Sequence, residues 1–303
     1  MKQRIKVIVN PAAGANSTQQ KWPGIQRLLK SLGLIYEFQF TEGRGHGIEL
    51  SRKAAEDGYQ NLVAVGGDGT VHEVTNGIMQ TSNAQNTHLG IICTGTGSDL
   101  ARTLGITHDV ATACSRLAEN RRQIIDLGLV TYTLNGKVEQ RYFVNGAGIG
   151  FDATVVAATN RIPKFLGDFS YLLGLLLTFL TYRNKPVTYQ IGEKGEVTSR
   201  MLSLVVANGE YFGGGMHIAP QAKTDDQQFD IVALGNFGKI ELIRNLSKVY
   251  KGTHLSHPKV HMEKNTSIRV QSKHRMMVQA DGELLGEGPA EFKLIPSALC
   301  LAI

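Results

Sequence analysis

Residues Asn61–Ile78 read NLVAVGGDGTVHEVTNGI. A run of apolar, β-branched residues stops at Gly66, Gly67, Asp68, Gly69 and Thr70, and a helical pattern then takes over. A turn needs only one or two flexible residues, so three glycines here mean either an over-built turn or a backbone that something approaches closely. Either way the stretch is strand, loop and helix in immediate succession, and that unit decides the fold class.

The same unit recurs through the first hundred residues. Ile5–Asn10 (IKVIVN) is a strand, followed by a helix with apolar Trp22, Ile25, Leu28, Leu29 and Leu32 and a stop at Gly33. Ile35–Phe40 (IYEFQF) is the next strand, and a helix over Gly47–Glu56 closes near Gly58. After the strand NLVAV come a helix over Val71–Met79, a fourth strand at Leu89–Thr94 and a last helix at Asp99–Leu104. Strand–helix alternation with short links predicts a parallel sheet flanked by helices, an α/β domain.

After about Asp126 the texture changes. Two strands surround Asn135-Gly136, a strong hairpin signal. Further strands are expected at Val187–Ile191, Met201–Ala207, Phe229–Leu234, Lys259–Met262, Ser267–Gln271, Met277–Ala280 and Glu291–Leu294. Helices are expected at Asp152–Arg161, Phe169–Tyr182 and Lys239–Tyr250. The chain therefore divides into residues 1–128 and a β-rich, mostly antiparallel second domain, 129–303, whose segment 290–303 is free to pack back on the first.

In an open parallel sheet, ligands sit outside the carboxyl ends of the strands. The four ends here are Asn10–Gly14, Thr41–Gly43, Gly66–Thr70 and Thr94–Asp99, all small, polar or glycine-rich. Thr70 and Glu73 have the T-x-x-E spacing of a capping box, which makes Thr70 the expected helix start. Ser98 or Asp99 is the expected cap of the next helix, with Gly105 as its stop. Helix N-termini favour phosphate, so two beside one another suit a polyphosphate. An acid there, Asp68, would repel phosphate unless Mg²⁺ lies between; the plain alternative is an Asx-type turn. There is no G-x-x-x-x-G-K-[ST], HExxH, GxSxG or paired CxxC. Asn145–Asp152 (NGAGIGFD) has Phe151 where a dinucleotide fingerprint needs glycine, and reads as a tight turn into a helix.

Composition bounds the rest. Of 303 residues, 42% are hydrophobic and 19% charged, as in a globular protein with a real core. The three cysteines, Cys93, Cys114 and Cys300, form no disulfide or zinc pattern. With no secretory signal at the start, a reducing, cytoplasmic setting is expected. The net charge of +6 permits attraction to nucleic acid or anionic lipid, or is plain surface lysine. The longest apolar run, Phe165–Tyr182, is short of the roughly 20 residues of a membrane span, and Asp168 interrupts it.

VAVGGDGTVHEVTNGI, together with NPAAG, GTGSDLART and a late DGE (Asp281–Glu283), resembles the diacylglycerol kinase catalytic family, its bacterial soluble lipid kinase branch above all. The likeness runs nearly end to end and includes ANGEYFGGGMHIAPQAKTDDQQFDIV (Ala207–Val232). GGDGT alone is less specific, because NAD kinases and phosphofructokinase-like enzymes carry similar loops. The resemblance implies ATP at Asn10 and the turn after it, Thr41, Gly67, Asp68, Gly69, Thr70, Val71, His72, Glu73 and Thr94. It implies Glu283 as general base and Asp68 as organiser of a catalytic Mg²⁺, with Asp99 in that network or facing the lipid head group. A structural Mg²⁺ is implied at the Lys223 carbonyl, the Asp226 carboxylate and the Gln228 carbonyl, although Gln227 stands where the family often has glycine. The active site is expected in the interdomain cleft.

The expected function is thus transfer of the γ-phosphate of ATP to a lipid hydroxyl, diacylglycerol first, at the surface of an anionic membrane and without nucleic acid. Homodimerisation stays open. The apolar stretch after Phe165 is expected to border the acceptor, to touch the bilayer surface or to pack in the core. His72 is expected at the surface. The alternatives are a kinase of NAD or another soluble alcohol, and a nucleotide-binding regulator without turnover.

Overall fold

The computed structural model describes residues 4–95, 98–119, 121–162 and 168–302. Thr96 and Gly97 of the second glycine loop, and Phe165–Gly167 at the head of the apolar run, lie outside the described residues. The chain forms two compact units, one of residues 1–127 and 296–303 and the other of residues 128–295.

The first unit alternates as its sequence predicts: β1 (Arg4–Val9), α1 (Ser17–Ser31), β2 (Ile35–Phe40), α2 (His46–Glu56), β3 (Asn61–Gly66), α3 (Asp68–Met79) and β4 (His88–Cys93). α4 (Asp99–Thr103) and α5 (Val110–Glu119) follow before β5 (Arg122–Leu134), which carries the chain across the boundary. The strands are parallel in the order β4-β3-β1-β2. Every residue of β3 is buried, as expected of a strand with helices on both faces. Trp22, Ile25 and Leu29 of α1 cover one face together with Ala113, Cys114 and Leu117 of α5. Residues Cys300–Ala302 add a further parallel strand on the outer side of β4. The Ser297 N–H, donated to Asp126 Oδ1 at 2.7 Å, ties that returning segment to β5.

Two expectations fail in this unit. The helix at Asp99–Leu104 is not the last, because α5 was not anticipated. Its apolar face is short and built of small residues, and its start is marked only by Asp109, whose Oδ2 accepts the Thr112 N–H at 2.8 Å. α3 starts at Asp68 after an extended Gly67, two residues before Thr70, and no side chain caps it.

The second unit is mostly antiparallel. Its elements are β6 (Lys137–Phe143), β7 (Gly146–Gly150), α6 (Phe151–Thr159), α7 (Asp168–Thr181), β8 (Lys185–Ile191), β9 (Val197–Met201), β10 (Ser203–Ala207) and β11 (Phe229–Leu234). Then come α8 (Lys239–Tyr250), β12 (Val260–Asn265), β13 (Ser267–Gln271), β14 (Met277–Ala280) and β15 (Glu283–Ala302), whose last residues belong to the first unit. The main run is β12-β11-β10-β7-β14-β15; β13 pairs with β15 and β8, β8 with β9, and β5 with β6. Asn135 and Gly136 turn the β5–β6 hairpin with φ of +51° and +77°. Phe143 stacks on Phe229 (5.6 Å between ring centroids) and meets Phe292 edge-on (6.4 Å) in a fully buried core.

NGAGIGFD is not a turn. Gly146–Gly150 is a buried strand between β10 and β14, and its glycines serve close packing. A Cβ on Gly148 would lie 1.8 Å from Asp152 Oδ2. The expected strand at Met201–Ala207 is two strands, broken at Leu202. The one expected at Glu291–Leu294 is the middle of β15, whose Gly286, Gly288 and Pro289 disguise its 20-residue length in the sequence. Among the described residues no helix is long and apolar enough to cross a membrane.

Candidate active site

The first unit's strand order reverses between β1 and β3, the point where doubly wound sheets open a crevice at their carboxyl ends. Asn10 leaves β1 there and Gly66 ends β3. The Asn10 N–H donates to the Val65 carbonyl (3.0 Å), Asn10 Nδ2 donates to Thr70 Oγ1 (3.1 Å), and Asn10 Oδ1 accepts the Ala12 N–H (3.1 Å). One side chain thus fixes both the turn after β1 and the first turn of α3. A Cβ on Gly66 would lie 2.2 Å from Thr70 Oγ1, so that glycine exists to admit the threonine. The N–H groups of Thr70 and Val71 return to the Gly67 carbonyl. The part of this helix start that can face an anion is therefore the half-buried Gly67–Gly69 segment.

The second glycine loop is tied to the first. The Thr94 N–H donates to the Gly66 carbonyl (2.9 Å), and a Cβ on Gly95 would come within 2.8 Å of Gly67 Cα. Asp68 Oδ2 accepts the Asp99 N–H at 2.9 Å, which holds the acid against the first turn of α4. Thr94 is buried; its hydroxyl hydrogen-bonds the Thr18 hydroxyl (2.6 Å), while its carbonyl accepts from Ser17 Oγ (3.1 Å). Ser17 and Thr18 went unread in the sequence because their partners lie 77 and 76 residues away. Gly14, at φ +58°, was their only signal: a Cβ there would meet Ser17 Oγ at 2.5 Å.

Glu73 is not half of a capping box. Its carboxylate accepts the N–H groups of Gly45 (2.6 Å) and Gly47 (2.9 Å), and so shapes the loop that follows Thr41. Thr41 is buried and donates its N–H to the Val9 carbonyl (2.8 Å). Val71 and His72 are buried as well, so His72 is not the surface residue expected. Beneath the loop, burial and the nearby Asp68 push the Cys93 thiol up to about 11. It is a packing residue that stays protonated near neutrality.

The residues present fit a magnesium nucleotide. The donor set is two carboxylates, Asp68 and Asp99, next to a glycine segment that admits close backbone approach, and hard oxygen donors with phosphate are what Mg²⁺ takes. Asp68 and Asp99 would hold the ion, and the Gly67–Gly69 peptides the phosphates.

The second unit contains Glu283, half-buried at the start of β15 and paired with Ala280. Asp281 and Gly282 form a two-residue turn with φ of +48° and +80°, the type I′ geometry that Asp-Gly favours. Asp281 is more than a turn residue: its carboxylate accepts the N–H groups of Val144 (2.9 Å), Asn145 (2.9 Å) and Gly146 (3.1 Å). The Gly282 N–H donates to Gln279 Oε1 (3.0 Å), and Gln279 Nε2 donates to Asp152 Oδ2 (2.9 Å). Asp152 also accepts a short hydrogen bond from Ser203 Oγ, and burial holds its carboxyl above the ordinary value. Asn145 Nδ2 donates to the Tyr211 carbonyl (2.7 Å) and Asn208 Nδ2 to the Val144 carbonyl (2.7 Å). The turn presenting Glu283 is therefore braced from three segments. Asp152, Gln279 and Asn145 went unread because each acts through a distant partner.

The Lys223–Gln228 segment does not favour a divalent ion. Asp226 Oδ2 accepts from Lys264 Nζ (2.7 Å) and Asp226 Oδ1 from the Gln228 N–H (3.2 Å). Lys264 Nζ also donates to the Gln221 carbonyl (3.3 Å) and lies 3.4 Å from the fully buried Asp230 carboxylate. Gln227 adopts φ +60°, the left-handed conformation that glycine takes readily. The side-chain charge assigned to a metal is thus already balanced by an ammonium, and no step is derived through a metal there.

Residues 4–130 match the diacylglycerol kinase catalytic domain, and residues 146–303 match the YegS C-terminal NAD kinase beta sandwich-like domain. A diacylglycerol kinase from Staphylococcus saprophyticus is 30% identical over 294 residues, which is 96% of this chain and 92% of that protein. The crystal structure of a candidate diacylglycerol kinase from Bacillus anthracis superposes with a TM-score of 0.80 at 24% identity, over 99% of this chain and 95% of that one. An NAD kinase from Archaeoglobus fulgidus in complex with ATP shares the fold more distantly, with a TM-score of 0.51 at 12% identity, over 99% of this chain and 94% of that one.

Proposed function

The chain belongs to the diacylglycerol kinase family, and on that premise we propose that it transfers the γ-phosphate of ATP to a lipid hydroxyl, with diacylglycerol the first candidate and phosphatidic acid the product. The observation that carries this reading is the pair of glycine loops locked together at the β1–β3 switch point, with Asp68 Oδ2 on the Asp99 N–H. Phosphoryl transfer asks for positioning and charge neutralisation more than for covalent chemistry. Gly67–Gly69 receive the phosphates, and Asp68 and Asp99 would hold magnesium, which would supply positive charge beside the transferring phosphoryl group. Glu283 takes the proton from the acceptor hydroxyl, whose oxygen bonds to the γ-phosphorus as the bond to the β-phosphate oxygen breaks and ADP leaves. The Asp281 and Gln279 hydrogen bonds fix the turn from which Glu283 follows. Because such acceptors reside in bilayers, the protein works at an anionic membrane surface.

The test is incubation of the purified protein with labelled ATP, Mg²⁺ and a panel of lipids in mixed micelles, with NAD in a parallel arm. Labelled phosphatidic acid is expected. Label in NAD alone, or ATP bound without any labelled product, would overturn the reading.

A further inference from the structure

α8 leaves an unusual face to solvent. Ile240 is 68% exposed, Ile243 60% and Tyr250 50%, and Leu246 stands exposed beside them. At 100° per residue these positions lie on one stripe. Its neighbours along the helix are Arg244, Lys248 and Lys251, all exposed and spaced four and three apart, a basic row that runs alongside the apolar stripe. The opposite side of α8 is accounted for: Leu242 and Val249 pack on a buried cluster with Val232, Phe237 and Val260. The helix has one acid, Glu241, and its charge is met by Lys259, whose Nζ donates to it at 2.6 Å, with the Gly238 N–H donating at 3.0 Å. Lys239 Nζ donates to the Leu180 carbonyl of α7, fixing the start of α8 on its own unit.

We propose that this outer face of α8 docks the protein on an anionic bilayer, Ile240, Ile243 and Tyr250 entering the headgroup boundary while Arg244, Lys248 and Lys251 meet lipid phosphates. An amphipathic helix with large apolar residues on one side and lysine and arginine beside them is the physical form of an interfacial anchor. Exposed apolar residues in such a stripe call for a cover. A second copy of the chain is a poor one, because it would cover the apolar stripe while offering the basic row no anions. A surface of negative headgroups satisfies both halves of the face at once. The inference takes its motive from the lipid-kinase reading, but its measurement needs no turnover.

The experiment sediments the full-length protein with phosphatidylcholine vesicles and with phosphatidylcholine–phosphatidylglycerol vesicles. Wild type is expected on the mixed vesicles, released by salt. The pair I240D/I243D and the pair R244E/K248E are each expected to bind at least about tenfold more weakly. Both pairs should keep wild-type turnover on a short-chain, water-dispersed diacylglycerol, which also certifies that they fold. Wild type left in the supernatant with both vesicles, or either pair binding as wild type does, overturns the proposal. So does a wild-type dimer that I240D/I243D converts to monomer. Vesicle binding as described without turnover on any lipid upholds the docking face and overturns the kinase reading instead.

Discussion

The loop at Gly66–Thr70 and the turn at Asp281–Gly282 are both glycine–aspartate segments after a strand, yet they are built on different physics. In the first, glycine provides space: Gly67 is extended, and Gly66 is needed because Thr70 Oγ1 sits where a Cβ would go. In the second, glycine provides conformation: Gly282 has φ +80°, and a Cβ there would meet nothing within 4 Å. The acids differ too. Asp68 accepts the Asp99 N–H of a neighbouring loop, whereas Asp281 gathers three N–H groups and serves as a brace. The same residue pair can mean a ligand cradle or a rigid mount, and partners distant in sequence decide which.

That contrast is sharpest in turnover. Glu283→Gln is expected to lower kcat by about 10²–10⁴-fold with the circular dichroism spectrum unchanged, and Asp68→Ala to abolish measurable transfer. Near-wild-type rates in either would remove that residue from the chemistry. Asp281→Ala should act through the fold: three N–H groups lose a charged acceptor, and unfolding in urea should show a loss of at least about 3 kcal/mol. A stable Asp281→Ala protein lacking only activity would make the turn a second cradle and erase the distinction. Gly66→Ala should cost about 1–3 kcal/mol and weaken nucleotide binding, whereas Gly67→Ala, whose Cβ would rest 3.6 Å from Gly95 Cα, should stay within about 0.5 kcal/mol of wild-type stability. Equal costs would mean that conformation, rather than space, governs the first loop as well.

The smallest effect expected is a pH dependence. Asp152 is held above its ordinary value of 3.8 by burial, so the folded protein keeps a proton that the unfolded chain has already released. Its contribution to stability is therefore greatest below that value and declines as pH rises toward the folded one. Asp152→Asn should remove that decline. The difference in urea midpoint between wild type and variant, followed from about pH 4 to 7, measures it; a difference that does not vary with pH would mean the carboxyl is ionised throughout.

What the sequence made legible follows the same division. The first unit was readable because its signals are local: apolar runs of strand length, helical spacing such as Trp22–Ile25–Leu29, and loops at every strand end. The local signals that misled were those a distant residue had claimed. Glu73 lies three residues after Thr70 but serves Gly45 and Gly47, and His72 sits within a polar motif yet is buried. In the second unit, Gly146–Gly150 lacks the side chains by which strands are recognised, since Asp152 and neighbouring strands fill the space they would occupy. The candidate site residues Asp68 and Glu283 were visible as motifs. Their supports, Thr18, Asn145, Asp152 and Gln279, were not, because a hydrogen bond across 76 or 127 residues leaves no pattern in a single chain.

The returning strand has a consequence for how the molecule comes into being. Cys300–Ala302 pair with His88–Gly90, so the first unit's sheet is finished by a segment 212 residues further along the chain (300 − 88). At ribosomal speeds of ~5–20 residues per second, β4 waits on the order of 10–40 s for its neighbour. Throughout that interval a buried, apolar strand presents an open edge, the form in which chains aggregate or exchange segments. Completion of the first unit's sheet thus waits for synthesis of the second unit, and chaperone demand should concentrate on the nascent chain during that interval.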